Sequence, residues 1–180
     1  GGKFAGKKMA DGTPMNPNAN NAASKTLPLG TVAEVKNLEN GKSEVVEIDS
    51  KANRVLAHWP LAPGDGPTGL AMDVQRHRLF CGCGNKKMIV LDSQSGKVLA
   101  AVAIGSGVDG VAFDPELGLA MSANGKDGTI SVVKETSPGT FENVHTVQTL
   151  NGARTITIDA KLHHALLPCY VPDDKNSTKR

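Results

Sequence analysis

The sequence is poor in aromatic side chains, with one Trp, one Tyr and four Phe in 180 residues. A core drawn from its 39% hydrophobic residues must therefore be mostly aliphatic. An excess of one charge is also lacking. The formal net charge is +2 with both signs mixed, which argues against nucleic acid or another polyanion as the main partner. Cysteine is scarce and odd in number, so the three thiols do not form a disulfide framework. No apolar run approaches the roughly 20 residues of a membrane span. No signal-peptide pattern is present, and the chain starts at Gly1, so a processed form or a fragment is expected.

Cys81 and Cys83 are two apart and share one face of a strand. They read as small core residues, because a metal pair would need further ligands that the sequence does not place nearby. No metal and no cofactor is expected. Cys169 carries no sequence context that fixes its state.

What is abundant is glycine and proline, 20 and 10 residues spread along the chain. Such punctuation suits many short strands joined by turns. Those strands repeat. Thr68-Gly-Leu-Ala-Met-Asp73, Asp109-Gly-Val-Ala-Phe-Asp114 and Arg154-Thr-Ile-Thr-Ile-Asp159 align, with closing aspartates 41 and then 45 residues apart. Each is followed by a polar turn and a second strand, at His77–Cys81, Gly118–Ser122 and His163–Leu167. A second register agrees. Glu44-Val-Val-Glu-Ile-Asp49 matches Lys87-Met-Ile-Val-Leu-Asp92, and both lead through a turn into Val-Leu-Ala. Thr129–Val133 and Asn143–Thr149 fill the same slots in the next unit, with a longer turn around Ser137-Pro-Gly139.

A period of 40–45 residues with four strands per unit is the signature of a β-propeller. The reading is an all-β chain whose residues 44–168 form a partial β-propeller. It holds about three blades' worth of four-stranded antiparallel sheets. Residues 44–60 supply strands c and d, 67–105 and 108–150 whole blades, and 153–168 strands a and b. Closed propellers have about 4 to 8 blades, so open faces invite self-association.

Within this stretch, Trp59-Pro-Leu-Ala-Pro63, Pro67-Thr-Gly-Leu70, His77-Arg-Leu-Phe80, Gly105-Ser-Gly-Val-Asp-Gly110 and Gly152-Ala-Arg154 resemble the YVTN-type, or YncE-like, propeller family of exported bacterial proteins. The resemblance implies a periplasmic or secreted location and no particular chemistry.

Residues 1–43 differ in character and do not share the repeat. Val32–Lys42 reads as an alternating strand, a turn at Asn40-Gly41 and a new strand, which is a hairpin signal. Ala23-Ser-Lys-Thr-Leu-Pro-Leu-Gly30 and Asn37-Leu-Glu-Asn-Gly-Lys-Ser43 resemble the start of the double-psi β-barrel of the rare lipoprotein A (RlpA-like) family, the septal-ring lytic transglycosylases. The match spans about half that barrel, so an incomplete double-psi β-barrel-like segment is expected. The resemblance implies peptidoglycan as a partner. Two departures bear on activity: Thr13 and Ser50 stand where that family places its acids. Acid catalysis at a glycosidic bond needs a carboxyl, which neither supplies. Asp11 and Asp49 lie close by and read as turn residues. No linker separates the two segments, which is what a recombined sequence without an evolved function would look like. The last stretch, 169–180, is a polar tail, of which Pro172–Arg180 is expected to fray.

Candidate chemistry is thin. His77 and His163 recur four residues after Asp73 and Asp159, which points to a turn or packing task, while His58, His145 and His164 sit on strands without a ligand pattern. The repeated aspartates are expected to hold turn amides. Gly105–Gly110 joins strands and opens no helix, so it is no phosphate loop. No catalytic residue is expected. The position that varies is five residues ahead of each inner Asp: Thr68, Asp109 and Arg154. In a propeller these side chains converge near the channel mouth. They would form either an inter-blade ion pair or a site for a small polar ligand or a protein partner.

Overall fold

Each repeated aspartate builds a turn by accepting backbone N–H groups two and three residues ahead. Asp49 Oδ1 accepts from Lys51 (2.9 Å) and Ala52 (3.0 Å), and Asp73 Oδ1 from Gln75 (3.0 Å) and Arg76 (3.1 Å). Asp92, Asp114 and Asp159 repeat the pattern. The fourth residue after each Asp must then turn left-handed. Asn53, His77, Gly96, Gly118 and His163 all do so, with φ between 50° and 70°. His77 and His163 are thus turn residues, and the strands expected to begin on them begin one residue later.

The computed structural model describes residues 32–34 and 42–171. Its strands form four antiparallel meanders. The first contains β1 (Val32–Glu34), β2 (Glu44–Asp49) and β3 (Arg54–Pro60). The second contains β4 (Pro67–Asp73), β5 (Arg78–Cys83), β6 (Lys87–Asp92) and β7 (Val98–Ala103). The third contains β8 (Val108–Asp114), β9 (Leu119–Asn124), β10 (Thr129–Ser137) and β11 (Thr140–Gln148). The fourth is β12 (Thr157–Asp159) with β13 (His164–Leu166). The a, b, c, d order and both four-stranded antiparallel sheets are as the repeat predicts.

Three details differ from the sequence reading. β1 pairs with β2 in the slot that strand b holds elsewhere, so the first sheet gains a strand from before residue 44. The turn around Ser137 is short: β10 and β11 run on to the pair Ser137↔Thr140. β12 and β13 are only three residues each, and no third strand among the described residues extends their ladder. Of the half-barrel expected over residues 1–43 only 32–34 and 42–43 are described; its Asn40-Gly41 turn, Asp11 and Thr13 lie outside the described residues, as does the tail from 172.

Side-chain alternation binds the sheets face to face. Along β5, Leu79, Cys81 and Cys83 point to the first sheet and join Val45, Trp59 and Leu61. Phe80 points the other way and joins Val108, Ala120 and Val133 of the third. Met121, Ile130 and Val132 then pack on Ile156, Ile158 and Ala165 of the last hairpin. Middle strands covered on both faces read as continuous apolar runs, as Met88-Ile-Val-Leu91 does, every residue 0% exposed.

The first strands of successive sheets come closest. A Cβ on Gly69 would lie 2.6 Å from the Asp109 carbonyl oxygen and 2.8 Å from the Val111 nitrogen. One on Gly110 would lie 3.0 Å from the Ile156 nitrogen, and the Gly110 amide donates to the Arg154 carbonyl at 2.8 Å. Thr155 stands at the third equivalent position. No strand among the described residues packs beyond it, so a side chain is tolerated.

The last hairpin has one polar tie. His163 Nδ1 lies 2.9 Å from Asp114 Oδ2, and His163 Nε2 lies 3.5 Å from Glu116. The Asp114 hydrogen bond raises the His163 pKa; partial burial opposes this, and the charges of Asp114, Glu116 and Asp159 add to it. Burial alone would push the Asp114 carboxyl up. The Leu117 amide, His163 and the Glu116 amide outweigh it, and the net shift is downward.

Two outcomes are expected. Gly69→Ala or Gly110→Ala should cost roughly 1–3 kcal/mol, read as a fall of several degrees in Tm; an unchanged Tm would contradict the close approach. The raised His163 value stabilises docking fully below about pH 6.5, and the benefit is lost as pH rises through the folded value. The lowered Asp114 value stabilises above about pH 3.9 and is lost as pH falls through its folded value. Amide protection of β12 and β13 should therefore peak in mildly acidic solution and fall on the alkaline side. In His163→Asn, which tolerates the left-handed turn, the alkaline fall should vanish.

Candidate functional site

All five aspartate turns lie at one end of the sheets. The connections entering β4, β8 and β12 lie at the other, and there the varying position of the repeat falls. Local backbone geometry singles it out. In β4 the ladder steps from Pro67↔Cys83 to Gly69↔Gly82, leaving Thr68 as an extra residue. In β8 it steps from Val108↔Asn124 to Gly110↔Ala123, leaving Asp109. A β-bulge leaves its extra residue unpaired and re-aims the side chain.

The structure brings two of the three predicted residues into direct contact. Arg154 Nε lies 3.4 Å from Asp109 Oδ2, across the boundary between the third and fourth sheets. The side chains are 68% and 44% exposed, so the pair is worth at most about 1 kcal/mol and is free to rearrange. Thr68 is placed next to this pair through the backbone. Its hydroxyl donates to the carbonyl of Val108 at 2.9 Å, the residue before Asp109. Three consecutive sheets thus contribute a hydroxyl, a carboxylate and a guanidinium along one rim.

Behind the rim lies a buried polar network that sequence reasoning missed. Asn124, fully buried and paired opposite Val108, donates to Ser131 Oγ at 3.0 Å and to Thr129 Oγ1 at 3.2 Å. Ser122 Oγ donates to Asn124 Oδ1 at 3.1 Å, and the Gly105 amide donates to Ser131 Oγ at 3.1 Å. Such a satisfied network fixes the strand entering the bulge at Asp109. The available signal was polar residues at inward positions of Met121-Ser-Ala-Asn124 and Ile130-Ser-Val132.

At the turn end, a cavity of about 400 Å³ between the second and third sheets was also not foreseen. Arg76, Arg78 and Lys134 line it together with Phe80, Phe113 and Phe141. Arg78 Nη1 lies 3.5 Å from Asp92. The Asp92 carboxyl is held below its ordinary range by the Ser95 hydroxyl and amide, against partial burial, with the Gln94 amide and Arg78 adding.

Among the described residues no three His, Cys, Asp or Glu side chains gather as a metal site would require. Cys81 and Cys83 are fully buried in the core between the first two sheets. No helix among the described residues is long and apolar enough to cross a membrane.

No family model matches the sequence. Matches to curated proteins are short. Over 48 residues the chain is 48% identical to a probable endolytic peptidoglycan transglycosylase RlpA of Aquifex aeolicus (strain VF5), covering 27% of this chain and 21% of that protein. Over 60 residues it is 38% identical to an endolytic peptidoglycan transglycosylase RlpA of Neisseria meningitidis, covering 31% and 25%. The chain spans about a fifth to a quarter of the length of these relatives. They support an RlpA-like segment of that size. Among solved structures, dihydro-heme d1 dehydrogenase NirN in complex with DHE superposes with a TM-score of 0.59 at 13% identity, over 89% of this chain and 33% of that one. Kuenenia stuttgartiensis hydrazine synthase does so with a TM-score of 0.58 at 18% identity, over 66% and 33%. At these identities the likeness is one of fold alone: a repeated, all-β architecture.

Proposed function

We propose that the chain is a non-catalytic binding or scaffold module of the cell envelope, periplasmic or secreted. In this reading residues 44–168 are YncE-like blades behind an RlpA-like half-barrel segment over 1–43, with 169–180 as a tail. One observation carries it. Thr68 and Asp109 are re-aimed by equivalent bulges, and Arg154 joins them from a third sheet at the same end. A loose, exposed ion pair with a neighbouring hydroxyl suits a small polar ligand, which displaces the pairing at little cost. The short RlpA matches favour peptidoglycan fragments as that ligand.

Those same matches favour a second reading, a peptidoglycan lytic transglycosylase. The described chemistry supports it less. Ser50 occupies the position of one family acid. The neighbouring Asp49 accepts the Ala52 and Lys51 amides, which hold its carboxyl below the ordinary range against slight burial, with Arg54 adding. A general acid needs the opposite, a raised pKa that keeps its proton near neutral pH.

Self-association belongs to the same proposal. Leu162 and Leu166 of the last hairpin are 58% and 55% exposed, and a second copy would cover them. Sedimentation should then give a mass above the 18.7 kDa of one chain; a well-folded monomer would contradict it. Soluble muropeptides should raise the Tm of the wild type and leave that of Arg154→Ala unmoved. With purified sacculi, release of anhydro-muropeptides would replace this reading by the transglycosylase.

A further inference from the structure

The boundary between the second and third sheets differs from the one that follows it, and the difference leaves a site. At the later boundary His163, in its left-handed turn position, reaches back to Asp114 and fills the space between the hairpins. At the earlier boundary the equivalent residue is Gly118, and a Cβ there would meet nothing within 4 Å. The Asp equivalent to Asp114 is Asp73, and it is paired instead with Arg76 of its own turn, at 3.0 Å. The gap is roofed by a second departure from the repeat. β10 last pairs with β9 at Lys134↔Leu119, but its hairpin with β11 continues to Ser137↔Thr140 and overhangs the sheet. Insertions that break a repeat on one face of a solenoid or propeller are where binding surfaces arise.

The chemistry of the walls is divided. In a chain with four Phe, three meet here. Phe80 and Phe113 stack with ring centroids 5.3 Å apart and planes inclined by 13°. Phe141 meets Phe80 edge-on at 6.2 Å. The rest of the lining carries three bases, Arg76, Arg78 and Lys134, and two acids, Asp73 and Glu135. Its acids are already engaged: Asp73 by two amides and Arg76, Glu135 by the Gly139 amide at 2.7 Å. The bases are not all engaged. Arg78 pairs with Asp92 through Nη1 at 3.5 Å but its buried Nε has no hydrogen-bond partner, and Lys134 has no ion pair among the described residues. A buried, unpartnered guanidinium donor is costly unless something accepts from it. The volume of about 400 Å³ falls in the range of small-molecule sites, which combine apolar walls with a few convergent polar groups.

We propose that this cavity binds a small aromatic carboxylate, its ring against Phe113 and Phe80 and its carboxylate accepting from Arg78 and Lys134. The cavity lies at the opposite end of the sheets from Thr68, Asp109 and Arg154, and its occupancy does not depend on a ligand there. Neutral or cationic analogues lose the charge-assisted bonds, and aliphatic carboxylates lose the ring contact.

The test is NMR titration of the full chain with phenylacetate, alongside phenylacetamide and acetate. Saturable shifts of the Gly118, Arg78 and Phe113 amides are expected with phenylacetate. Affinity should be about ten-fold weaker for phenylacetamide, and acetate should give no saturation. Lys134→Ala, on an exposed side chain, should weaken phenylacetate several-fold. Gly118→His should abolish its binding while the melting transition persists, because His77 and His163 already occupy that left-handed turn position. Equal affinity for the acid and the amide would overturn the proposal. So would absence of saturation by phenylacetate, or unchanged shifts in a folded Gly118→His variant. Loss of muropeptide response in Arg154→Ala with phenylacetate binding intact would show that the two ends act separately.

Discussion

The architecture depends on how closely the first strands of neighbouring sheets approach. Backbone meets backbone where Gly69 faces Asp109–Val111 and where Gly110 faces Arg154–Ile156. At that spacing no side chain fits between, so the glycines are a steric requirement of stacking. Everything outward follows from it. Once the first strands are set, the alternate residues of β5, β6, β9 and β10 fall into the two aliphatic layers on either side. Those layers are mostly Val, Ile, Leu, Met and Ala, joined by Trp59 in the first and Phe80, Phe113 and Phe141 in the second. The same approach sets Asp109 and Arg154 within reach of each other, since each immediately precedes or joins a contact strand.

Much of this is legible in the sequence, for reasons that are local. An Asp that caps the two amides ahead of it, followed by a left-handed residue, leaves a fixed five-residue imprint. Five copies at Asp49, Asp73, Asp92, Asp114 and Asp159 fix the phase of the repeat and with it the strand order. The Thr68, Asp109 and Arg154 position could be singled out because it varies against a constant background. What was not legible depends on contacts between units. The alignment places His163 and Gly118 at one position but gives no sign that they differ across the boundary. Nor does a run such as Lys134-Glu-Thr-Ser-Pro-Gly139 reveal that its strands continue past their neighbours and roof a cavity. The pairing of β1 with β2 depends on the first sheet having an open edge, which only the assembled sheets disclose.

The two ends of the sheets therefore carry different kinds of asymmetry. At one, equivalent bulges present chemically different side chains on a common frame. At the other, a single missing side chain at Gly118 and a lengthened hairpin break the frame itself. Repeat proteins acquire binding surfaces by both routes, and neither requires a catalytic group. Among the described residues Asp49, its carboxyl pKa lowered by the Ala52 and Lys51 amides, is not poised to give up a proton at neutral pH.

The stacking distance is the central claim, and it can be read directly. In a folded, isotope-labelled sample, a Gly69 Hα proton should show a strong nuclear Overhauser contact to the Val111 amide proton, and a Gly110 Hα proton one to the Ile156 amide. Both cross-peaks are expected in the same sample as the β4–β7 and β8–β11 ladders. Intact ladders without these two contacts would contradict the account, since the sheets would then form without stacking on their first strands.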